Sequence, residues 1–192
     1  GNLKSIYNMF KKVGIDSIIT LDIEEIKKAD KYLLPGVGSF DHGINSLKNA
    51  SFFETLEKEV LESKKPILGI CLGMQLLTNS SEEGQEKGLG WIDAQTIKFD
   101  LEDKSLSIPH MGWNKTNPTN KNDIFKNLEH NRFYFVHSYH VVCKDEKNIL
   151  ATANYGKSFT CSIYKDNIYG VQFHPEKSHK FGMQLLKNFG EM

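Results

Sequence analysis

Apolar residues in the first half of the chain follow two alternating rhythms. Leu3, Ile6, Tyr7, Phe10 and Val13 recur at helical spacing, and Gly14 ends the run. Residues 16–20 then read as a strand and 23–29 as a short helix. Residues 31–35 form a second predicted strand, running into Gly36-Val37-Gly38. Phe53, Leu56, Val60 and Leu61 mark one face of a helix over 51–63. A buried strand is predicted at 67–70, and a helical run follows Cys71. Strand and helix in alternation imply right-handed crossovers and a mostly parallel sheet covered on both faces.

The rhythm changes in the second half. Segments 90–99, 105–108, 132–142, 149–154, 159–164 and 168–173 all read as strands. Turns rich in Asn, Lys and Asp separate them, among them Lys165-Asp166-Asn167. A final amphipathic helix carries Phe181, Met183, Leu185, Leu186 and Phe189. No repeat and no low-complexity linker divides the chain, so the expectation is one α/β domain over residues 1–192 with an antiparallel addition. A doubly wound domain normally starts on a strand, whereas this sequence starts on a helix.

Composition narrows the function classes. Lys+Arg and Asp+Glu both number 24, and this balance gives no reason to expect nucleic acid or an anionic membrane as partner. No stretch approaches the ~18 consecutive apolar residues of a membrane span, and no leader peptide is visible. Three cysteines argue against a disulfide scaffold and for a reducing, cytoplasmic setting. Cys143 and Cys161 lie in apolar, strand-like surroundings and read as core. His137 and His140 lack obvious carboxylate or thiolate companions, so neither a metal nor a cofactor is expected.

Cys71 is different. In Gly69-Ile70-Cys71-Leu72-Gly73 a buried strand breaks between small residues, presents one reactive side chain and turns at once into a helix. That is the form of a nucleophile elbow, and a helix N-terminus behind a thiol favours its anion. The segment Val171-Gln172-Phe173-His174-Pro175-Glu176 supplies a strand ending in a histidine with a carboxylate two residues on. Attack on an amide needs a nucleophile, a base, a group that orients the base and an oxyanion hole. Cys71, His174 and Glu176 fit the first three roles, with the last two meeting across the turn that Pro175 imposes. Gly36-Val37-Gly38 and the Leu72 N–H are candidates for the fourth. Taken singly, each piece is more often a buried thiol, a strand-to-loop turn or a satisfied histidine. Their joint occurrence favours one site.

These segments resemble the signatures of class I glutamine amidotransferases, notably Gly69-Ile70-Cys71-Leu72-Gly73-Met74-Gln75 and Phe173-His174-Pro175-Glu176. Three more stretches sharpen the match: Leu34-Pro35-Gly36-Val37-Gly38-Ser39-Phe40, Pro109-His110-Met111-Gly112-Trp113-Asn114 and Tyr134-Phe135-Val136-His137-Ser138-Tyr139. They are similar to the glutaminase subunits that serve imidazole glycerol phosphate synthase. The resemblance implies a flavodoxin-like three-layer α/β fold. It implies a γ-glutamyl thioester on Cys71, and ammonia passed to a (β/α)8 cyclase subunit in a heterodimer for histidine biosynthesis. It places Gln75, Glu83, Ser138 and Tyr139 in the L-glutamine pocket. It makes Gly36–Gly38 part of an oxyanion hole completed by a partner-triggered peptide flip, and puts Asn2, Trp113 and Lys177 at the cyclase interface. Outside the resemblance, those three read as a helix cap, a core aromatic and a solvated lysine.

The sequence departs from that family twice. The first strand of the fold is missing before Gly1-Asn2, which predicts an exposed sheet edge. His140 stands where another aromatic or a larger polar residue is expected at the pocket rim. Paralogues that feed enzymes modifying surface sugars share the same signatures, and an interaction subunit without turnover is a further alternative.

Overall fold

The strand expected from Ile67 onward is buried on both faces and anchors everything around it. The computed structural model describes residues 3–119, 123–128 and 130–192. In chain order its elements are α1 (Leu3–Lys12), α2 (Ile23–Lys28), β1 (Tyr32–Gly36), α3 (Phe40–Lys48), α4 (Phe53–Leu61), β2 (Ile67–Cys71), α5 (Leu72–Leu76), β3 (Ser80–Ser81) and β4 (Ala94–Lys98). There follow β5 (His110–Pro118), β6 (Arg132–His137), β7 (Tyr139–Cys143), β8 (Ile149–Tyr155), β9 (Lys157–Lys165), β10 (Ile168–Val171) and α6 (His179–Glu191).

β2 pairs in parallel with β1 on one side and β10 on the other. Side chains alternate across a strand, and this alternation sets the layers. Ile67 joins a cluster with Ile26, Ile44, Leu56, Val60 and Leu76, from α2 to α5. Leu68 and Ile70 join the opposite cluster, with Ile6 and Phe10 of α1 and Leu185, Leu186 and Phe189 of α6. Each such buried aliphatic side chain contributes roughly 1.5–3 kcal/mol. The strand that ends in Cys71 is therefore held from both sides.

Beyond β10 the sheet turns antiparallel. The order continues β9-β7-β4-β3, with β8 on the other edge of β9. β5 pairs with β8 through Thr116–Pro118 and with β6 through His110–Lys115, so one strand serves two neighbours. The antiparallel extension is the larger part of the sheet.

Four expectations need correction. Residues 16–20 form no strand. Ile18, Ile19 and Leu21 are exposed, and the segment finds no ladder to complete. β1 stands at one end of the sheet order among the described residues. Residues 105–108 are also not a strand. The Asp103 carboxylate accepts from both the backbone N–H and the hydroxyl of Ser105, a local turn that competes with a ladder. The single strand predicted over 132–142 breaks at Ser138 into β6 and β7, which pair with different neighbours. Helix α3 and strand β5 are additions. Ser39 followed by Phe40, Ile44 and Leu47, all three buried, is a helical signal that passes unread behind the glycine loop.

Candidate active site

The backbone at Cys71 turns through φ 56° and ψ −111°, a conformation that an L-residue holds only when its surroundings force it. Those surroundings are backbone. A Cβ on Gly69 would come within 2.7 Å of the Gly73 carbonyl, and one on Gly73 would overlap the Leu34 carbonyl oxygen. A Cβ on Gly36 would press at 3.0 Å on the Gly73 nitrogen. The two glycines around Cys71 thus let α5 start directly against β1 and β2, and the thiol stands at the mouth of that junction.

His174 follows β10, and a 3-10 turn over Pro175–Lys177 begins at once. The turn is tied to β6. The His174 N–H donates to the Tyr134 carbonyl at 2.9 Å, and the Tyr134 N–H donates to Ser178 Oγ at 3.0 Å. Ser178 Oγ donates to the His174 carbonyl at 2.6 Å. Within this clasp His174 Nδ1 lies 2.9 Å from Glu176 Oε1, both side chains buried. A carboxylate accepts, so Nδ1 carries the proton and Nε2 is left for Cys71. Nε2 is buried, with the Cys71 sulfur as the group acting on it. Burial alone would lower the affinity of His174 for a proton. The Cys71 sulfur and the Glu176 carboxylate reverse this and raise its pKa to about 9. Burial likewise pushes Glu176 upward, and His174 overrides it, so the carboxyl sits below its ordinary value.

A cleft of about 270 Å³ opens over the sulfur. This is below the roughly 300–1,000 Å³ of sites for drug-sized ligands and suits one small polar metabolite. It is lined by Val37, Gly38, Cys71, Leu72, Gln75, Glu83, Val136, His137, Ser138, Tyr139, His174 and Lys177. The structure therefore brings together most of the site residues expected from the sequence. Gly36 stands just behind the wall, against Leu72 and Gly73, and Gly38 adopts φ +95°. Glu176 lies under His174.

The Glu83 carboxylate is positioned by a loop that Asp41 holds, accepting from the N–H groups of Gln85 and Glu86 at 3.0 Å each. One Glu83 oxygen accepts from the Phe40 N–H at 2.8 Å and so caps α3, whose own Ser39 makes no side-chain cap. Gln75 donates to Gln172 Oε1 at 3.1 Å, and Gln172 donates to Cys71 Sγ at 3.7 Å. Ser138 gives its carbonyl to the Phe99 N–H at 3.0 Å.

Trp113 is partly exposed, stacked on His179 at 5.6 Å and edge-on to Tyr134 at 6.2 Å. It is a surface aromatic and not a core one. The Lys177 ammonium rests 5.8 Å from the same Tyr134 ring, so both residues share one face beside the cleft. Asn2 lies outside the described residues. His140 is not at the rim. It is buried against Phe99 at 4.7 Å, with neither ring nitrogen hydrogen-bonded among the described residues. Cys161 is fully buried, and burial drives its thiol pKa upward; Cys143 is pushed up to about 12. Neither competes with Cys71 as a nucleophile. Among the described residues no group of three His, Cys, Asp or Glu could hold a metal ion, and no helix is long and apolar enough to cross a membrane.

Sequence reasoning missed Gln172, Val136 and His137. Gln172 lies just past β10, two residues before His174. Read as a continuation of the strand predicted over 168–173, that spacing puts both on one side, a signal that could have found it. The break at Ser138 that turns Val136 and His137 into the cleft has no comparable signal.

This site fits what is found by comparison with known proteins. The family model described as glutamine amidotransferase class-I matches residues 1–192. A protein of Methanococcus maripaludis named imidazole glycerol phosphate synthase subunit HisH 2 is 60% identical over 190 residues, covering 98% of this chain and 94% of its own. Its namesake in Pseudomonas aeruginosa is 48% identical over 193 residues, covering 100% and 95%. Among solved structures, PurLQS from Thermotoga maritima aligns at a TM-score of 0.67 with 19% identity, covering 97% of this chain and 90% of that one. The glutaminase domain of Trypanosoma brucei CTPS aligns at 0.64 with 16% identity, covering 97% and 83%. The structural likenesses speak for the fold, and the family model and the sequence relatives decide the membership: the chain belongs to the class I glutamine amidotransferase family.

Proposed function

We propose that the chain, as a single domain over residues 1–192, is the glutaminase subunit of an imidazole glycerol phosphate synthase and works in the cytoplasm. It hydrolyses L-glutamine and delivers the ammonia to a cyclase subunit for histidine biosynthesis. The observation that carries this reading is the buried His174–Glu176 pair set beside a strained cysteine, in a cleft that also holds Gln75 and Glu83.

The chemistry follows from the geometry. Cys71 gives its thiol proton to His174 Nε2, and Sγ attacks the γ-carboxamide carbon of glutamine, a C–S bond forming as the carbonyl π pair moves to oxygen. The Leu72 N–H and the backbone around Gly36, Val37 and Gly38 stabilise that oxyanion. His174 gives its proton to the departing nitrogen, the C–N bond breaks, and ammonia leaves a γ-glutamyl thioester. A water then gives one proton to His174 and attacks the thioester carbon; the C–S bond breaks, glutamate leaves, and His174 returns the proton to sulfur to restore the thiol. Glu176 fixes the His174 tautomer and stabilises the imidazolium throughout. Glu83 uses the side of its carboxylate not spent on α3 to pair with the α-ammonium. Backbone groups at Ser138 and Tyr139 receive the α-carboxylate, and Gln75 closes the wall. Trp113 and Lys177, which share one face beside the cleft, face the cyclase.

The test is ammonia release from glutamine with and without the cyclase and its nucleotide substrate. Stimulation by both together is expected, and its absence would sink the coupled-subunit reading. A second reading rests on the relatives' names, in which both proteins are numbered 2. A second glutaminase of one organism can serve another acceptor, and stimulation by a different synthase instead of the cyclase would select that reading.

A further inference from the structure

A chain of polar contacts runs from Asn114 to the cleft wall at His137, and the reaction above gives its two histidines no role. Asn114 Nδ2 lies 3.3 Å from His110 Nε2, and His110 Nδ1 lies 2.9 Å from His137 Nε2. His137 Nδ1 lies 2.7 Å from the Tyr139 carbonyl. That same carbonyl accepts from Gln75 Nε2 at 3.5 Å, and Gln75 leads through Gln172 to the Cys71 sulfur.

The donor directions close in one way only. A carbonyl accepts, so His137 Nδ1 must carry hydrogen. Its Nε2 then accepts, and His110 Nδ1 must carry hydrogen in turn. His110 Nε2 is left to accept from the Asn114 amide, which is a donor. Both rings are therefore neutral and share the Nδ1–H tautomer. Burial supports this, lowering His110 to about 4 and His137 to about 3. Packing holds the rings in place. His110 stacks on Tyr155 at 4.1 Å and on Phe135 at 4.9 Å, and His137 lies 5.2 Å from Phe99 and 5.3 Å from Phe159. His110 and His137 are direct cross-strand partners of β5 and β6, and His137 sits at the end of β6, where the chain breaks toward Tyr139.

We propose that His110 and His137 are positioning residues for glutamine hydrolysis: a one-way hydrogen-bond relay that fixes the Tyr139 carbonyl, and through it Gln75, Gln172 and the Cys71 sulfur. The inference rests on the glutaminase reading. It extends that reading to β5, the strand that also carries Trp113. The far end is anchored by Asn114, whose amide also donates to the Asn154 carbonyl at 2.8 Å, and the last donor of the relay, His137 Nδ1–H, is spent on the Tyr139 carbonyl at the cleft.

The test pairs kinetics with a tautomer measurement. In the complex with cyclase and nucleotide, His137→Phe keeps ring and volume but removes the donor. It should lower kcat about 10-fold or more, as misplacement of a reacting group does, with KM within about 3-fold. His137→Asn restores an N–H at the Nδ1 position and should recover a large part of kcat. His110→Phe does not touch the cleft and should cost about 3-fold. Loss of thermal stability in both Phe variants with wild-type kcat per titrated active site would overturn the relay, as would equal kcat for His137→Asn and His137→Phe. In the wild-type protein, ¹⁵N chemical shifts should report Nδ1–H for both rings at neutral pH. An Nε2–H tautomer or an imidazolium in either would overturn it without any variant. A wild-type protein that releases no ammonia under any condition would refute the glutaminase reading, and the tautomers would still decide the relay.

Discussion

Substituting Gly73 with alanine is the sharpest perturbation of the elbow. The added Cβ would overlap the Leu34 carbonyl oxygen, an atom of β1 that cannot rotate away as a side chain can. Helix α5 must then lift from the β1–β2 junction by about 1 Å or more to reach ordinary contact. Overpacking of this kind costs roughly 1–3 kcal/mol, and an unyielding backbone partner puts the cost near 3 kcal/mol. For a chain of this size that lowers the melting temperature by about 6–12 °C. Because Leu72 and Cys71 move with the start of the helix, kcat for glutamine hydrolysis should fall about 100-fold. Calorimetry and an ammonia-release assay on Gly73→Ala read the two effects separately. A melting temperature within about 2 °C of wild type together with kcat within about 3-fold would refute the packing argument for the glycines around Cys71.

Glu83→Gln keeps an acceptor for the Phe40 N–H but loses the charge. KM for glutamine should rise about 10-fold or more, and the melting temperature should move by less than about 2 °C. His140→Phe removes two buried nitrogens that lack partners among the described residues. It should raise the melting temperature by about 2–4 °C, a stabilisation of about 1 kcal/mol. The pH dependence of stability follows from the catalytic pair. The pKa of His174 rises on folding from 6.5 to about 9, so its contribution is full below about pH 6.5 and is lost as pH rises toward 9. Glu176 is lowered, so its contribution holds above about pH 4.5 and is lost only in acid. Thermal unfolding from pH 6 to 9 should show the decline, and Glu176→Gln should shrink it.

The sequence was a good guide wherever one short segment contained its own explanation. The elbow needs two small residues and a strand-to-helix turn within five positions, and the clasp of His174 and Glu176 needs Pro175 between them. Both were readable. Pairings made over long distances were not. Ile18 and Ile19 look like strand residues, but a strand exists through its neighbour, and no strand among the described residues pairs with this segment. The break at Ser138 depends on β5 claiming β6 while β4 and β9 claim β7, a competition that no local pattern records. Glu83 was placed in the pocket by family resemblance, whereas its physical support comes from Asp41 and from the start of α3, some forty residues away in sequence.

The proposed reaction turns on Cys71 carrying the acyl group of glutamine. It is tested most directly by quenching the complex in acid during turnover and examining the peptide around Cys71 by mass spectrometry. A γ-glutamyl thioester on Cys71 is expected, absent from Cys71→Ala, which should release no ammonia from glutamine. Ammonia release that persists in Cys71→Ala, or a γ-glutamyl group found on another residue, would rule out Cys71 as the nucleophile.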